Sequence, residues 1–172
     1  NISITELFTF SLLKIFFSLT FIVSVFIYLQ YYREIEDKKN IEIGKILFTL
    51  SSNNKPLGNV LNSYNYGGFL IFNGYNPYLD SRMEVYGDKF IKNFFDSINF
   101  TKGSTSLEKL IKENNIQWTI FETSQVINTY METKKDWSKL YSSPKVTIFT
   151  HANITINKSI IDKLSKINKQ SK

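Results

Sequence analysis

The first apolar run of the chain is too long for a soluble fold. Between Lys14 and Arg33 there is no charged residue, and Ile15 to Tyr32 reads IFFSLTFIVSVFIYLQYY. With the apolar turn before Lys14 the run reaches roughly 20–25 residues, enough to cross a hydrocarbon core of about 30 Å. Tyr28, Tyr31 and Tyr32 close it where an interfacial aromatic belt belongs. No basic start and no small-residue cleavage site accompany it, so residues 1–33 read as a transmembrane helix rather than a signal peptide. The first residue is Asn1, not a methionine, and the chain is therefore expected to be the later part of a longer protein.

After the charged stretch REIEDKKN the pattern changes to that of a small domain, expected over 34–156. Ile41, Ile46, Leu47 and Leu50 recur at near-helical spacing up to the turn formers SSNNKPLG, which predicts a short helix at about 41–52. NVLNSY (59–64) and PYLDS (77–81) predict strands, the second with its proline at a strand start or on an edge. From Tyr86 on, Phe90, Ile91, Phe94, Phe95 and Ile98 form a helical stripe. TSLEKLIKENN predicts another helix, opened by a capping box between Thr105 and Glu108. IQWTIFE (116–122) is a strand, and Val126, Ile127, Tyr130 and Met131 mark a short helix behind it. WSKLYS and KVTIFT around SP predict a terminal antiparallel hairpin. Strands alternating with helices favour an α/β fold: one transmembrane helix, then a small α/β sandwich-type domain with a mostly parallel sheet and a C-terminal hairpin.

Composition changes this picture in two places. The net charge of +6 invites a nucleic-acid reading, but the segment 157–172 alone carries five lysines and one aspartate, so four of the six positive charges sit there and the body is close to neutral. No nucleic-acid partner is expected, and 157–172 reads as a basic helix or tail facing solvent or lipid headgroups. Cysteine is absent and His151 is the only histidine, so no metal site, catalytic triad or cofactor is expected. Sequons at Asn1, Asn99, Asn153 and Asn157 are of the kind an asparagine-rich chain produces by chance, and Trp118 and Trp137 are expected in the core.

The candidate chemistry lies in NYGGFLIFNGYNPYLDSRMEVYGDKF, residues 65–90. Gly67 and Gly68 follow a predicted strand and precede an apolar run, a place where a chain turns sharply, presents free amides and lets a neighbour approach closely. They match neither a dinucleotide nor a Walker pattern, and a tight turn accounts for them as well. Asp80 and Arg82, two apart on a predicted strand, leave it on the same side. Arg82 is one of only two arginines, and its planar fork clamps carboxylate or phosphate as lysine does not. Two readings stand: an internal network tying the glycine turn to the next helix, or a ligand clamp. The candidate binding set is Tyr66, Gly67, Gly68, Asp80, Arg82 and Tyr86. The carboxylates at 80, 84 and 88 lack partners for metal or acid–base work.

The order G-x-V-x-N-x-Y-x-Y-G-G-F-L-I, then YLDSRMEVYG, a leucine-rich helix, NIQWTIF and WSKLY resembles the C-terminal extracytoplasmic domain of multi-pass bacterial membrane proteins related to the C-type glycosyltransferases. The resemblance covers about Gly58 to Thr150. It implies a last membrane helix followed by an accessory domain over a membrane active site whose catalytic carboxylates lie in a missing N-terminal part, so no catalytic residue is expected here. The implied partners are the lipid bilayer, the missing membrane domain and a lipid-phosphate sugar. The resemblance also places the domain outside the cytoplasm, periplasmic or on the cell surface, against the positive-inside count of Arg33, Lys38, Lys39 and Lys45. The alternative is a non-catalytic, membrane-anchored binding or assembly module.

Overall fold

A computed structural model describes residues 4–53 and 57–170; the Asn1 sequon, the middle of the 51–58 turn and Lys172 lie outside them. The chain forms two compact units, Asn1–Ile41 and Glu42–Lys172. Helix α1 (Ile4–Ser51) supplies the first unit and ends in the second. Its apolar part holds an 18-residue window of mean hydropathy 1.7, none of it buried in the protein. Apolar side chains on all sides of a helix call for an apolar solvent, so by length and composition α1 fits a membrane span. Thr20 and Ser24 turn their hydroxyls back to the carbonyls of Phe17 and Phe21, which satisfies both donors within the helix.

The short helix expected at about 41–52 is not separate but the end of α1. The charged stretch REIEDKKN continues the helix: Glu and Lys are good helix formers, and Glu34 and Lys38 pair at 2.7 Å one turn apart.

In the second unit a four-stranded sheet runs in the order β1 (Asn59–Asn62), β2 (Ile116–Glu122), β4 (Val146–His151), β3 (Trp137–Ser142). Only β1 and β2 are parallel; β4 is antiparallel to both of its neighbours. The fold is α/β as expected, but the sheet is mostly antiparallel, not mostly parallel. The β3–β4 hairpin forms as predicted and inserts β4 beside β2. The second cause is that residues 77–81 form no strand. Asn62, fully buried at the end of β1, accepts from the Tyr78 amide at 2.8 Å and donates to the Leu79 carbonyl at 2.7 Å. A side chain thus satisfies the groups that a ladder would have used.

Helices cover both faces of the sheet. On one, Ile43, Ile46, Leu47 and Leu50 of α1, Leu70 of α2 (Gly67–Phe72) and Ile160 and Leu164 of α7 (Lys158–Gln170) pack against Val60, Trp118, Ile120 and Ile148. On the other, Phe94 and Ile98 of α4 (Asp88–Ile98), Leu107 and Leu110 of α5 (Ser104–Glu113) and Ile127 and Met131 of α6 (Val126–Glu132) meet Leu61, Phe121 and Phe149. Helix α3 (Met83–Tyr86) leads into α4. An irregularity between Lys139 and Tyr141 explains how Trp137 and Tyr141, four apart on β3, serve opposite cores. Both tryptophans are buried, as expected. The Thr105–Glu108 capping box does not form: α5 starts from Gly103, without a side-chain cap, while Glu108 accepts from Tyr130 and Lys134 of the α6 region.

Candidate functional site

The approach of two chain segments builds the site. After β1, one 3₁₀ turn (Tyr64–Tyr66) delivers the chain to α2, whose first residue, Gly67, is pressed against the backbone of Leu79 and Asp80. A Cβ at position 67 would lie 2.5 Å from Asp80 Cα and 2.7 Å from the Leu79 oxygen. Only glycine permits that approach. Gly68 meets nothing within 4 Å and faces open space. The adjacent glycines therefore differ in kind: Gly67 is a contact surface, Gly68 an opening.

Asp80 is buried, yet its carboxylate is well served. Arg82 Nε donates to Oδ1 at 3.1 Å and Nη2 to Oδ2 at 2.6 Å, and the Arg82 amide adds a bond of 2.9 Å to Oδ1. The Arg82 guanidinium, its amide and, to a smaller extent, the Tyr86 hydroxyl hold the Asp80 carboxyl down at about 2. Such an ionised carboxylate is a poor proton acceptor at neutral pH, which argues for holding rather than catalysis. The arginine side chain is 64% exposed, so the donors it does not spend on Asp80 face solvent. Tyr86 stacks on Phe90 at 5.2 Å and carries the cluster into α4.

Gly67, Asp80, Arg82 and Tyr86 thus come together as the sequence suggested, although in a loop rather than at a strand end. Tyr66 does not join them; it is buried in the core under α1 and α7. Beside the cluster lies a groove of about 700 Å³. Gly68 and Ser81 line it with Phe48, Phe69 and Phe72, while Tyr64, Asn65 and Asn73 supply polar edges. The groove beside the arginine is mainly aromatic. Phe48 is 72% exposed and Phe72 89%. The sequence reading missed both, and the signal was there: Phe48 falls outside the Ile46–Leu47–Leu50 stripe of its helix and so had to point away from the core. Asn62 was missed as well.

Elsewhere little chemistry is assembled. His151 stands 3.5 Å from Asp136 and 2.8 Å from Asn153 Oδ1, at the edge of the second core. Glu84 and Asp88 are exposed and do not gather with Asp80. Among the described residues no group of three acidic, histidine or cysteine side chains is placed to hold a metal ion. We found no match to this chain among protein-family models, curated proteins or solved structures.

Proposed function

We propose that the chain is the C-terminal part of a polytopic membrane protein of the lipid-linked-sugar glycosyltransferase type, and that residues 42–170 are its accessory domain, which holds a donor or acceptor for a catalytic centre elsewhere. The observation that carries this reading is the aromatic groove beside the Asp80–Arg82 clamp. An apolar trough suits a hydrocarbon portion, and an exposed guanidinium fixed by a buried carboxylate suits an anionic group at its end. The span-length helix α1 supports attachment to a bilayer. The motif order from Gly58 to Thr150 supports the transferase type and, with it, a domain outside the cytoplasm.

Two measurements test the proposal. The gene upstream of the Asn1 codon should encode further apolar spans with a pair of acidic residues in the first loop. In the full-length protein, Gly68→Trp, which projects a side chain into the groove without touching the core, should lower transfer from a polyprenyl-phosphate sugar while the domain stays folded. Unchanged transfer in a folded Gly68→Trp protein would refute the role of the groove. A start codon directly before Asn1 would refute the transferase reading and leave a membrane-anchored binding module.

A further inference from the structure

A second cavity lies at the other end of the sheet from the groove. Strand β2 runs from Ile116, in its wall, to Glu122, which accepts from Asn65 of the groove, so about 20 Å of extended chain lies between the two. The cavity measures about 330 Å³, at the small end of ligand pockets. Its polar wall is assembled from separate elements: Asn115 just after α5, Gln117 on β2, Asp136 just before β3, His151 at the end of β4 and Asn153 beyond it, with Trp137 as the aromatic side. Local structure fixes these groups. Asn115 has a φ of 48°, which an asparagine tolerates and which stops α5. The Ala152 amide donates to the Asp136 carbonyl at 2.8 Å, and Trp137 and His151 pack edge to face at 5.5 Å. Among the described residues the Asn115 and Gln117 side chains make no hydrogen bond, and Lys112, which also lines the cavity, pairs with no carboxylate.

We infer that this cavity binds one neutral sugar ring. Charge narrows the class first: Lys112 and Asp136 are opposite in sign and the other polar groups are amides, an imidazole and an indole, so the wall offers no strong field to select an ion. Hydrogen bonding narrows it further. With His151 Nδ1 donating to Asn153 Oδ1 at 2.8 Å, Nε2 is an acceptor beside the Asp136 carboxylate, 3.5 Å away. Two adjacent acceptors call for two adjacent donors, and neighbouring ring hydroxyls supply them. Each hydroxyl also accepts, which uses the amide N–H groups of Asn115, Gln117 and Asn153. A phosphate, rich in acceptors and poor in donors, would meet that pair with repulsion. The inference rests neither on the groove nor on sugar transfer; a binding module would use the cavity in the same way.

The test uses the full chain, isotope-labelled and held in detergent micelles. The probes are the methyl glycosides of glucose, mannose, galactose and N-acetylglucosamine, with glycine and inorganic phosphate as charged controls. Each is titrated to high millimolar concentration while NMR follows the side-chain amides of Asn115, Gln117 and Asn153, the His151 ring and the Trp137 indole. At least one glycoside is expected to shift these resonances saturably, without moving the Asn65 and Asn73 amides of the groove. Asp136→Ala and Gln117→Ala should each weaken that binding on the order of 10-fold. The indole resonance of the buried Trp118 reports whether the sheet is intact in each variant. If Gln117→Ala disturbs it, Asp136→Ala decides, because that side chain is 63% exposed and its loss leaves the fold alone. No saturable shift with any glycoside, saturation by glycine or phosphate alone, full affinity in folded Asp136→Ala, or glycoside shifts confined to Asn65 and Asn73 would each overturn the inference.

Discussion

Replacing Gly67 by alanine adds one methyl group where the structure has no room for it. The new Cβ would lie 2.5 Å from Asp80 Cα, 2.7 Å from Asp80 Cβ and 2.7 Å from the Leu79 oxygen, all fixed parts of the neighbouring segment. Carbon contacts settle near 3.5–4.0 Å, so residues 78–82 must retreat by roughly 1 Å. Asn62 holds that segment at 2.7 and 2.8 Å, and a displacement of that size takes its bonds out of range. Overpacking costs about 1–3 kcal/mol and a stranded buried amide about as much again, so we expect a loss of about 3–5 kcal/mol. For a domain of this size that is a fall in Tm of roughly 10–20 °C. Trp118 and Trp137, the only tryptophans, both lie in the domain, so their emission during heating of the detergent-solubilised chain follows its unfolding alone. Gly68→Ala is the control: its Cβ meets nothing within 4 Å, and it should leave stability unchanged or raise it by up to about 1 kcal/mol. Equal Tm values for the two variants would refute the argument that Gly67 exists for close approach.

Three further outcomes follow from the same geometry. The Asp80 carboxyl sits at about 2 in the folded protein against 3.8 ordinarily, so its stabilising contribution is complete above the ordinary value and disappears as pH falls toward 2. Urea midpoints measured across that window should fall with acid, and Asp80→Asn should flatten the fall. Arg82→Lys should keep the domain folded but lose the fork, so the Asp80 carboxyl titrates at a higher pH by NMR; an unmoved titration would show that the Arg82 amide alone suffices. Asn62→Ala should cost about 2–4 kcal/mol by stranding the Tyr78 amide and the Leu79 carbonyl, and hydrogen exchange at Tyr78 should accelerate before that of the sheet.

What the sequence made legible was whatever repeats with a period. The uncharged run before Arg33, the α4 stripe of Phe90, Ile91, Phe94 and Ile98, strand β2 and the hairpin around Pro144 each show their burial pattern directly. Three features depended on partners distant in sequence and did not show. Residues 77–81 look like a strand, but Asn62, some sixteen residues earlier, takes their backbone groups. Glu108 has the spacing of a capping residue, yet Tyr130 and Lys134 offered stronger partners. The direction of β4 was set by the hairpin docking onto β2, which alternation of helices and strands does not encode. At the site, the Asp80–Arg82 pairing was legible because it is local. The aromatic groove was not, because it brings Phe48 of α1 to Phe69 and Phe72 of α2 through a core that the pattern only implies.

One core cluster joins Ile43 and Leu47 to Ile160 and Leu164, made more than a hundred residues later. On the ribosome the apolar stripe at the end of α1 therefore waits, uncovered, through the synthesis of more than a hundred residues before its partners emerge. Such a long-range closure folds slowly and leaves a sticky surface exposed meanwhile. Helix α7 thus latches a core whose other half was made long before it: a chain stopped after His151 would carry all four described strands of the sheet and still be a target for quality-control proteolysis.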